Sequence, residues 1–380
     1  MTIDLVRDTK DLGKYFYVTY DVESATSIYD AAWGIAVGQS IGNPSKRSVW
    51  ETDVMIEEHC AKILRNKNFD KKRGSVTIAY PNANIDWATD GIAHLLCIIQ
   101  GGQTDIDIIK KCRVTGLEIH PQIIDTHFKR PKYGIGGMRE YTACYGKPFF
   151  GGIIKPKTGI TPQVLLDMTK QLVDGGVNFI KEDEILSNPD VCRLQDRVEL
   201  ISNYLVGKQV VYCFCINADP AHIQSRARFV AQNGGNGVHI NVWSGLGSYR
   251  AIRDLDLPLF IHYQKSGDKA FTHKKNPFGI DWTVLCQLAA ISGVDTIHAG
   301  MWGGYLSDPE PEITAYMRVL HDGNVVPALS CGMTAELIPP IVEKFGTDWM
   351  ANVGGAIHGH PQGTLAGTQK IRRAIDALSA

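Results

Sequence analysis

A lysine and three carboxylates in a row, Lys181-Glu182-Asp183-Glu184, close a short apolar run that begins at Val177. Packing alone gives a strand no reason to end in that much charge. A hard divalent cation gives one: Mg²⁺ takes oxygen ligands in a near-octahedral array and commonly only one or two carboxylates. Alternate strand residues share a face, so Lys181 and Asp183 point together, and Glu184 joins them once the chain turns into a loop. The plainer reading is a solvated strand-to-helix turn whose acids favour a helix N-terminus. This stretch by itself leaves both readings open, and the elements around it decide between them.

Residues 1–145 read as an α+β domain. Tyr15–Val22 is aromatic and β-branched, a strand, and Ser27–Gln39 has helical spacing with Ser27 placed as a cap. Met55–Leu64 and Ser75–Tyr80 read as strands around a Lys-rich loop at Asn66–Arg73, followed by a helix at Ile92–Ile99 and a strand at Cys112–Ile119. That order is the split βαβ arrangement of ferredoxin-like domains. A Gly-, Pro- and Tyr-rich crossing segment spans 121–148. Residues 146–380 then alternate eight short apolar strands with helices: Phe149–Ile154, Val177–Ile180, Val210–Ile216, Val238–Val242, Leu257–His262, Asp295–Ala299, Val325–Ser330 and Met350–Val353. Eight such repeats suit a (β/α)8 TIM barrel. A doubly wound sheet is disfavoured because no strong GxGxxG follows a first strand. The fold class is therefore α/β, a C-terminal (β/α)8 barrel behind an N-terminal ferredoxin-like domain.

Barrels build their sites at the carboxyl ends of the strands. Here those ends carry Lys155-Pro-Lys157, Lys181 to Glu184, Asn217, Asn241, His262-Tyr-Gln-Lys265, His298-Ala-Gly300, Ser330-Cys-Gly332 and Gly354-Gly355. A lone histidine at such a place is usually a satisfied core residue, but so many polar strand ends weaken that explanation. The glycines after the seventh and eighth strands fit phosphate binding, because backbone N–H groups approach an anion closely there.

Composition narrows the class further. With 39 Lys and Arg against 40 Asp and Glu, the net charge is −1, so no broad basic field for nucleic acid is expected. Nine cysteines without a CxxC pair suggest reduced, mostly buried thiols in a cytoplasmic protein. The first residues lack a signal-peptide apolar region, and no apolar run approaches the ~20 residues a bilayer span needs. Trp33, Trp50 and Trp302 are expected in core packing, with an interface or lid role as the alternative.

Four phrases, taken together, resemble the large subunit of ribulose bisphosphate carboxylase (RuBisCO): Gly152-Ile-Ile-Lys-Pro-Lys-Thr-Gly159, Gly175-Gly-Val-Asn-Phe-Ile-Lys-Glu-Asp-Glu184, Val294-Asp-Thr-Ile-His-Ala-Gly300 and Gly354-Gly-Ala-Ile-His-Gly-His-Pro361. The resemblance implies that Lys181 reacts with CO₂ to give a carbamate, which with Asp183 and Glu184 holds Mg²⁺. It implies that Lys155 and Lys157 move protons and stabilise an enediolate, and that His262 and His298 are the histidines of the fifth and sixth strands. Ser330, Gly332, Gly354 and Gly355 match substrate and phosphate contacts. A homodimer, or an assembly of dimers, is implied too.

The departures point to the RuBisCO-like, non-carboxylating branch. Tyr263 stands where the resemblance places a phosphate-gripping arginine, Ser266 where it places a second histidine, and Tyr305 where carboxylases present a lysine to bound CO₂. Tyrosine is neutral near pH 7 and cannot supply that cation. Gln39-Ser-Ile-Gly-Asn-Pro44 replaces a Glu-containing motif of the N-terminal domain. The expected activity is Mg²⁺-dependent enolisation of a ketose-like sugar phosphate or acid-sugar phosphate, of isomerase or tautomerase type. Decarboxylation of a β-keto acid sugar through the same enolate, a non-catalytic binding role, and a Schiff-base aldolase using Lys155 are the alternatives. Lys265 either replaces part of the missing positive charge or is simply exposed.

Overall fold

The computed structural model describes residues 4–379. Its strands run, in chain order, β1 (Val6–Arg7), β2 (Tyr15–Ser24), β3 (Lys62–Leu64), β4 (Arg73–Pro81), β5 (Ile109–Glu118), β6 (Phe149–Ile153), β7 (Phe179–Lys181), β8 (Val211–Cys215), β9 (Gly237–Asn241), β10 (Phe260–Gln264), β11 (Phe278–Ile280), β12 (Thr296–Gly300), β13 (Val326–Leu329) and β14 (Met350–Val353). The chain forms two compact units, one of residues 1–128 with 267–288 and the other of 129–266 with 289–380. The sequence reading places a single division at 145/146. In the structure the helix Gly134–Thr142 belongs with the second unit, and 267–288 belongs with the first.

In the first unit the six-stranded sheet has the order β1-β3-β4-β2-β5-β11. Its four central strands pair antiparallel, with β2 between β4 and β5, and the order β3-β4-β2-β5 is the ferredoxin-like one. The helix Ile28–Gly38 starts as its sequence indicates: Ser27 accepts a hydrogen bond from the Asp30 N–H, satisfying one of the free donors of the first turn. One expected strand is corrected. Met55–Leu64 divides into a helix, Asp53–His59, capped by Thr52, followed by the three-residue β3. Met55 is also exposed, as is Trp50 at 81 %, so Trp50 is not a core residue.

In the second unit, β6 to β10 and β12 to β14 close an eight-stranded barrel, and every neighbouring pair is parallel. The expected strands are all present. Helices Leu194–Leu205, Leu246–Asp254 and Gly134–Thr142 lie where the sequence pattern shows no helical run. At one end the barrel is packed with Phe149, Phe179, Val211, Phe260 and Met350 together with Met138. Burial of such side chains stabilises by about 1.5–3 kcal/mol each. The interior is thus apolar at this end, with the buried His239 and His262 in the middle and the charged residues at the opposite, carboxyl ends of the strands.

The nine cysteines are free thiols, seven of them buried, while Cys97 is exposed and Cys331 half-buried. No helix among the described residues is long and apolar enough to cross a membrane.

Candidate active site

Period-two alternation along β7 sorts the charged run. Phe179 and Lys181 face the barrel interior, and Asp183 follows them. Glu182, fully buried, turns the other way, to the helix Leu194–Leu205. There its Oε1 accepts from Arg197 Nε at 2.9 Å and from the Tyr212 hydroxyl at 3.2 Å, while Oε2 accepts from the Cys215 N–H at 2.7 Å. Arg197 is likewise fully buried and also donates to the carbonyls of Cys192, Ser187 and Cys215. A buried ion pair is tolerated when its remaining donors and acceptors are satisfied. The adjacent carboxylate of the run is therefore a brace between β7, β8 and the helix outside them, and the other two are left for the cavity.

Lys181 and Asp183 are each 2 % exposed. Lys181 Nζ lies 3.4 Å from Glu184 Oε2. Burial alone raises the Glu184 carboxyl, but Lys181, together with hydrogen bonding, outweighs it and brings the pKa down to about 2. Lys155 Nζ donates to Asp183 Oδ2 at 2.7 Å, and Lys157 Nζ is 3.9 Å from the same oxygen. These residues line a cavity of about 600 Å³ at the carboxyl ends of the strands, along with Gln264, Ser266, His298, Tyr305, Ser330, Gly332, Asn352, Gly354 and Gly355.

The structure thus brings together Lys155, Lys157, Lys181, Asp183, Glu184, His298, Ser330, Gly332, Gly354 and Gly355. His262 is the exception. It is fully buried one layer deeper in the barrel, 5.4 Å from the Phe179 ring, with Nδ1 2.7 Å from Thr296 Oγ1, and it does not line the cavity. The reason is register. Phe260, His262 and Gln264 alternate inward along β10, so the side chain at the mouth is Gln264, two residues later. Tyr263 points outward and stacks on Tyr249 at 4.7 Å, so the residue that follows the mouth-facing one is Lys265. Lys265 is buried, with Nζ donating to the Ala299 carbonyl at 3.1 Å, which excludes the expectation that it is simply exposed.

Sequence reasoning passed over Gln264, inside the phrase His262-Tyr-Gln-Lys265, because the expected strand Leu257–His262 stops two residues before it whereas β10 runs to Gln264. It missed Asn352 because Met350–Val353 reads as ordinary barrel core. Tyr305 stands at the rim, 80 % exposed. Gly332 beside it has φ +108°, and a Cβ there would meet the Tyr305 backbone nitrogen at 2.6 Å and Gly304 Cα at 3.0 Å. Only glycine lets the loop 301–306 lie this close to the strand end.

His298 joins the site through both ring nitrogens, with the Cys331 thiol 3.7 Å from Nε2. Nδ1 lies 3.2 Å from Gln264 Oε1 and Nε2 lies 2.6 Å from Ser330 Oγ. Burial, with the neighbouring cations Lys265 and Lys181, pushes its pKa down to about 3, so the ring is neutral at pH 7. Among the described residues no three His, Cys, Asp or Glu side chains converge as a ready-made metal site. Asp183 and Glu184 supply two carboxylates, and a further anionic oxygen on Lys181 would complete a donor set that fits Mg²⁺.

An eight-stranded parallel barrel with lysines and carboxylates gathered at the strand ends is the architecture of barrel enzymes. The sequence matches the family model of the ribulose bisphosphate carboxylase large chain, catalytic domain, over residues 134–325 and 321–380. It is 30% identical to a ribulose bisphosphate carboxylase of Pyrococcus furiosus over 94% of this chain and 87% of that one. It is 28% identical to an uncharacterized ribulose bisphosphate carboxylase-like protein of Bordetella bronchiseptica, over 96% and 93%. The octameric ribulose-1,5-bisphosphate carboxylase/oxygenase from Pyrococcus horikoshii OT3 superposes with a TM-score of 0.89 at 26% identity, covering 98% of this chain and 90% of that one. The chain belongs to the RuBisCO large-chain family.

Proposed function

We propose that the protein is a RuBisCO-like enolising enzyme of the non-carboxylating branch, an isomerase or tautomerase acting on a ketose-like sugar phosphate or acid-sugar phosphate. The observation that carries this reading is the cluster of Lys155, Lys181, Asp183 and Glu184 around one cavity, with the neutral, exposed Tyr305 at the rim. Lys181 as its carbamate, Asp183 and Glu184 would hold Mg²⁺. When bound, the ion supplies Lewis-acid polarisation of a substrate carbonyl.

The chain's own groups do the rest. Removal of a proton from the carbon beside that carbonyl would fall to the Lys181 carbamate, or to Lys155 as its free amine once its bond to Asp183 is released, and the protonated group would return the proton elsewhere on the enediolate. Lys157 sets a second positive charge on the same side, where negative charge develops on the substrate oxygens. Gly332, Gly354 and Gly355 leave backbone room for one phosphate. The neutral rim argues against carboxylation, which needs a cation over the incoming CO₂. By analogy with its family the chain is proposed to act as a homodimer, which light scattering on the purified protein tests.

The functional test is solvent exchange. The protein is incubated in deuterated water with Mg²⁺ and a panel of acid-sugar phosphates and thio-sugar phosphates, and deuterium entry next to the carbonyl is followed. Mg²⁺-dependent exchange supports enolisation. Release of CO₂ from a β-keto acid member would select decarboxylation instead. Exchange with none of the panel would favour a binding role.

A further inference from the structure

Building on the enolising reading, we infer that Gln264 is a positioning residue. It holds His298 in the Nδ1–H tautomer, so that Ser330 turns its proton to His298 Nε2 and presents only lone pairs to the cavity. This wall of the site then selects a substrate hydroxyl over an anionic group.

The inference runs along one chain of hydrogen bonds. Gln264 Nε2 donates to Glu184 Oε2 at 2.9 Å and to Ser266 Oγ at 2.7 Å. Both amide hydrogens are thereby committed. Turning the amide over would set its carbonyl oxygen against the Glu184 carboxylate, acceptor against acceptor. Oε1 therefore faces His298, and a carbonyl oxygen can only accept, so the hydrogen in the 3.2 Å contact sits on Nδ1. A neutral imidazole has one N–H, which leaves Nε2 as an acceptor. Two donors lie beside it, Ser330 Oγ at 2.6 Å and the Cys331 thiol at 3.7 Å, and the short contact with the stronger donor is that of the hydroxyl. A hydroxyl has a single hydrogen, and this one is spent on the ring. Ser330 lines the cavity, and what it offers there is an oxygen acceptor.

A phosphate or carboxylate oxygen against Ser330 would place lone pair against lone pair. A hydroxyl of a polyol chain would donate to it. The anionic end of the substrate then falls to the Gly354-Gly355 side of the cavity. Ser266 is itself hydrogen-bonded to Glu184, which commits the Ser266 hydrogen there and leaves its oxygen to accept from the Gln264 amide.

Two measurements on the full-length protein test this. In the first, histidine rings are labelled with nitrogen-15 and the His298 signals are assigned with His298→Asn. The expected wild-type spectrum has a protonated Nδ1 and an unprotonated, hydrogen-bonded Nε2, and Gln264→Leu turns this into a tautomer mixture. An Nε2–H ring or an imidazolium in the wild type overturns the inference, as does an unchanged tautomer in Gln264→Leu. The wild-type spectrum decides even if that variant folds poorly.

In the second, binding of erythritol 4-phosphate is compared with that of n-butyl phosphate. Ser330→Ala is expected to lose about tenfold of the preference for the hydroxylated probe. An unchanged preference overturns the selection of a hydroxyl. The tautomer result does not depend on whether proton exchange occurs, so failure of this inference and failure of the enolisation reading are distinguishable.

Discussion

The buried Glu182–Arg197 pair offers a sharp perturbation. Arg197→Met leaves a buried carboxylate facing no cation and strips donors from the carbonyls of Cys192, Ser187 and Cys215. Removing one partner of a buried, hydrogen-bonded pair costs about 3–5 kcal/mol. For a domain of this size each kcal/mol moves the midpoint by about 2–4 °C, so thermal unfolding should fall by about 6–20 °C. The double variant Glu182→Leu, Arg197→Met removes the unpaired charge and should recover part of that loss, while the carbonyls that Arg197 served and the Tyr212 hydroxyl and Cys215 N–H that Glu182 accepted from stay unpartnered. Calorimetry and urea unfolding of the single and double variants read this out, with Mg²⁺ binding measured alongside. The double variant should keep Mg²⁺ binding, since Glu182 faces away from the cavity. A midpoint within about 2 °C of wild type for Arg197→Met, or loss of Mg²⁺ binding in a folded double variant, would refute the assignment of Glu182 as a brace.

Other expected outcomes follow from the same geometry. Lys155→Met should lower Mg²⁺-dependent proton exchange by about 10²–10⁴-fold, the span of a lost general base, with substrate binding largely kept, as single-turnover exchange would show. Gly332→Ala should destabilise by about 1–3 kcal/mol, because the new methyl meets the Tyr305 backbone, and urea unfolding measures the loss. Acid sensitivity should come from the neutral buried histidines. His239, His262 and His298 are all lowered below their ordinary value of 6.5, by burial first and by Lys181 among the neighbouring charges. The unfolded chain then binds more protons than the folded one, so their stability is fully present above about pH 6.5 and is lost as pH falls toward the folded values. Each contributes a slope of about 1.4 kcal/mol per pH unit, and urea unfolding at pH 7 and pH 5 should show the fall, while equal midpoints would count against it.

The barrel was legible because each strand is a short apolar run and each strand end carries polar or glycine residues. The ferredoxin-like order was legible from the same alternation, with Ser27 marking its first helix. The hidden parts have specific causes. Gly134–Thr142 contains three glycines and reads as a crossing segment, yet its Met138 packs into the closed end of the barrel. Met55–Leu64 is apolar enough for a strand, but Thr52 caps a helix there. In the site, the expected strand stops at His262 and so short of Gln264, while His262 was named by the resemblance and lies one layer below the cavity. The orientation of Glu182 could be read from alternation, but its partner Arg197 lies on a helix that the sequence pattern did not reveal.

The central claim is that Lys181, Asp183 and Glu184 form a CO₂-dependent site for Mg²⁺. The most direct measurement is carbon-13 NMR of the protein with labelled bicarbonate and Mg²⁺. The account predicts a carbamate signal that appears with wild type, requires the metal to persist, and is missing in Lys181→Ala. A wild-type protein that binds Mg²⁺ equally well with and without bicarbonate, and shows no such signal, would contradict it.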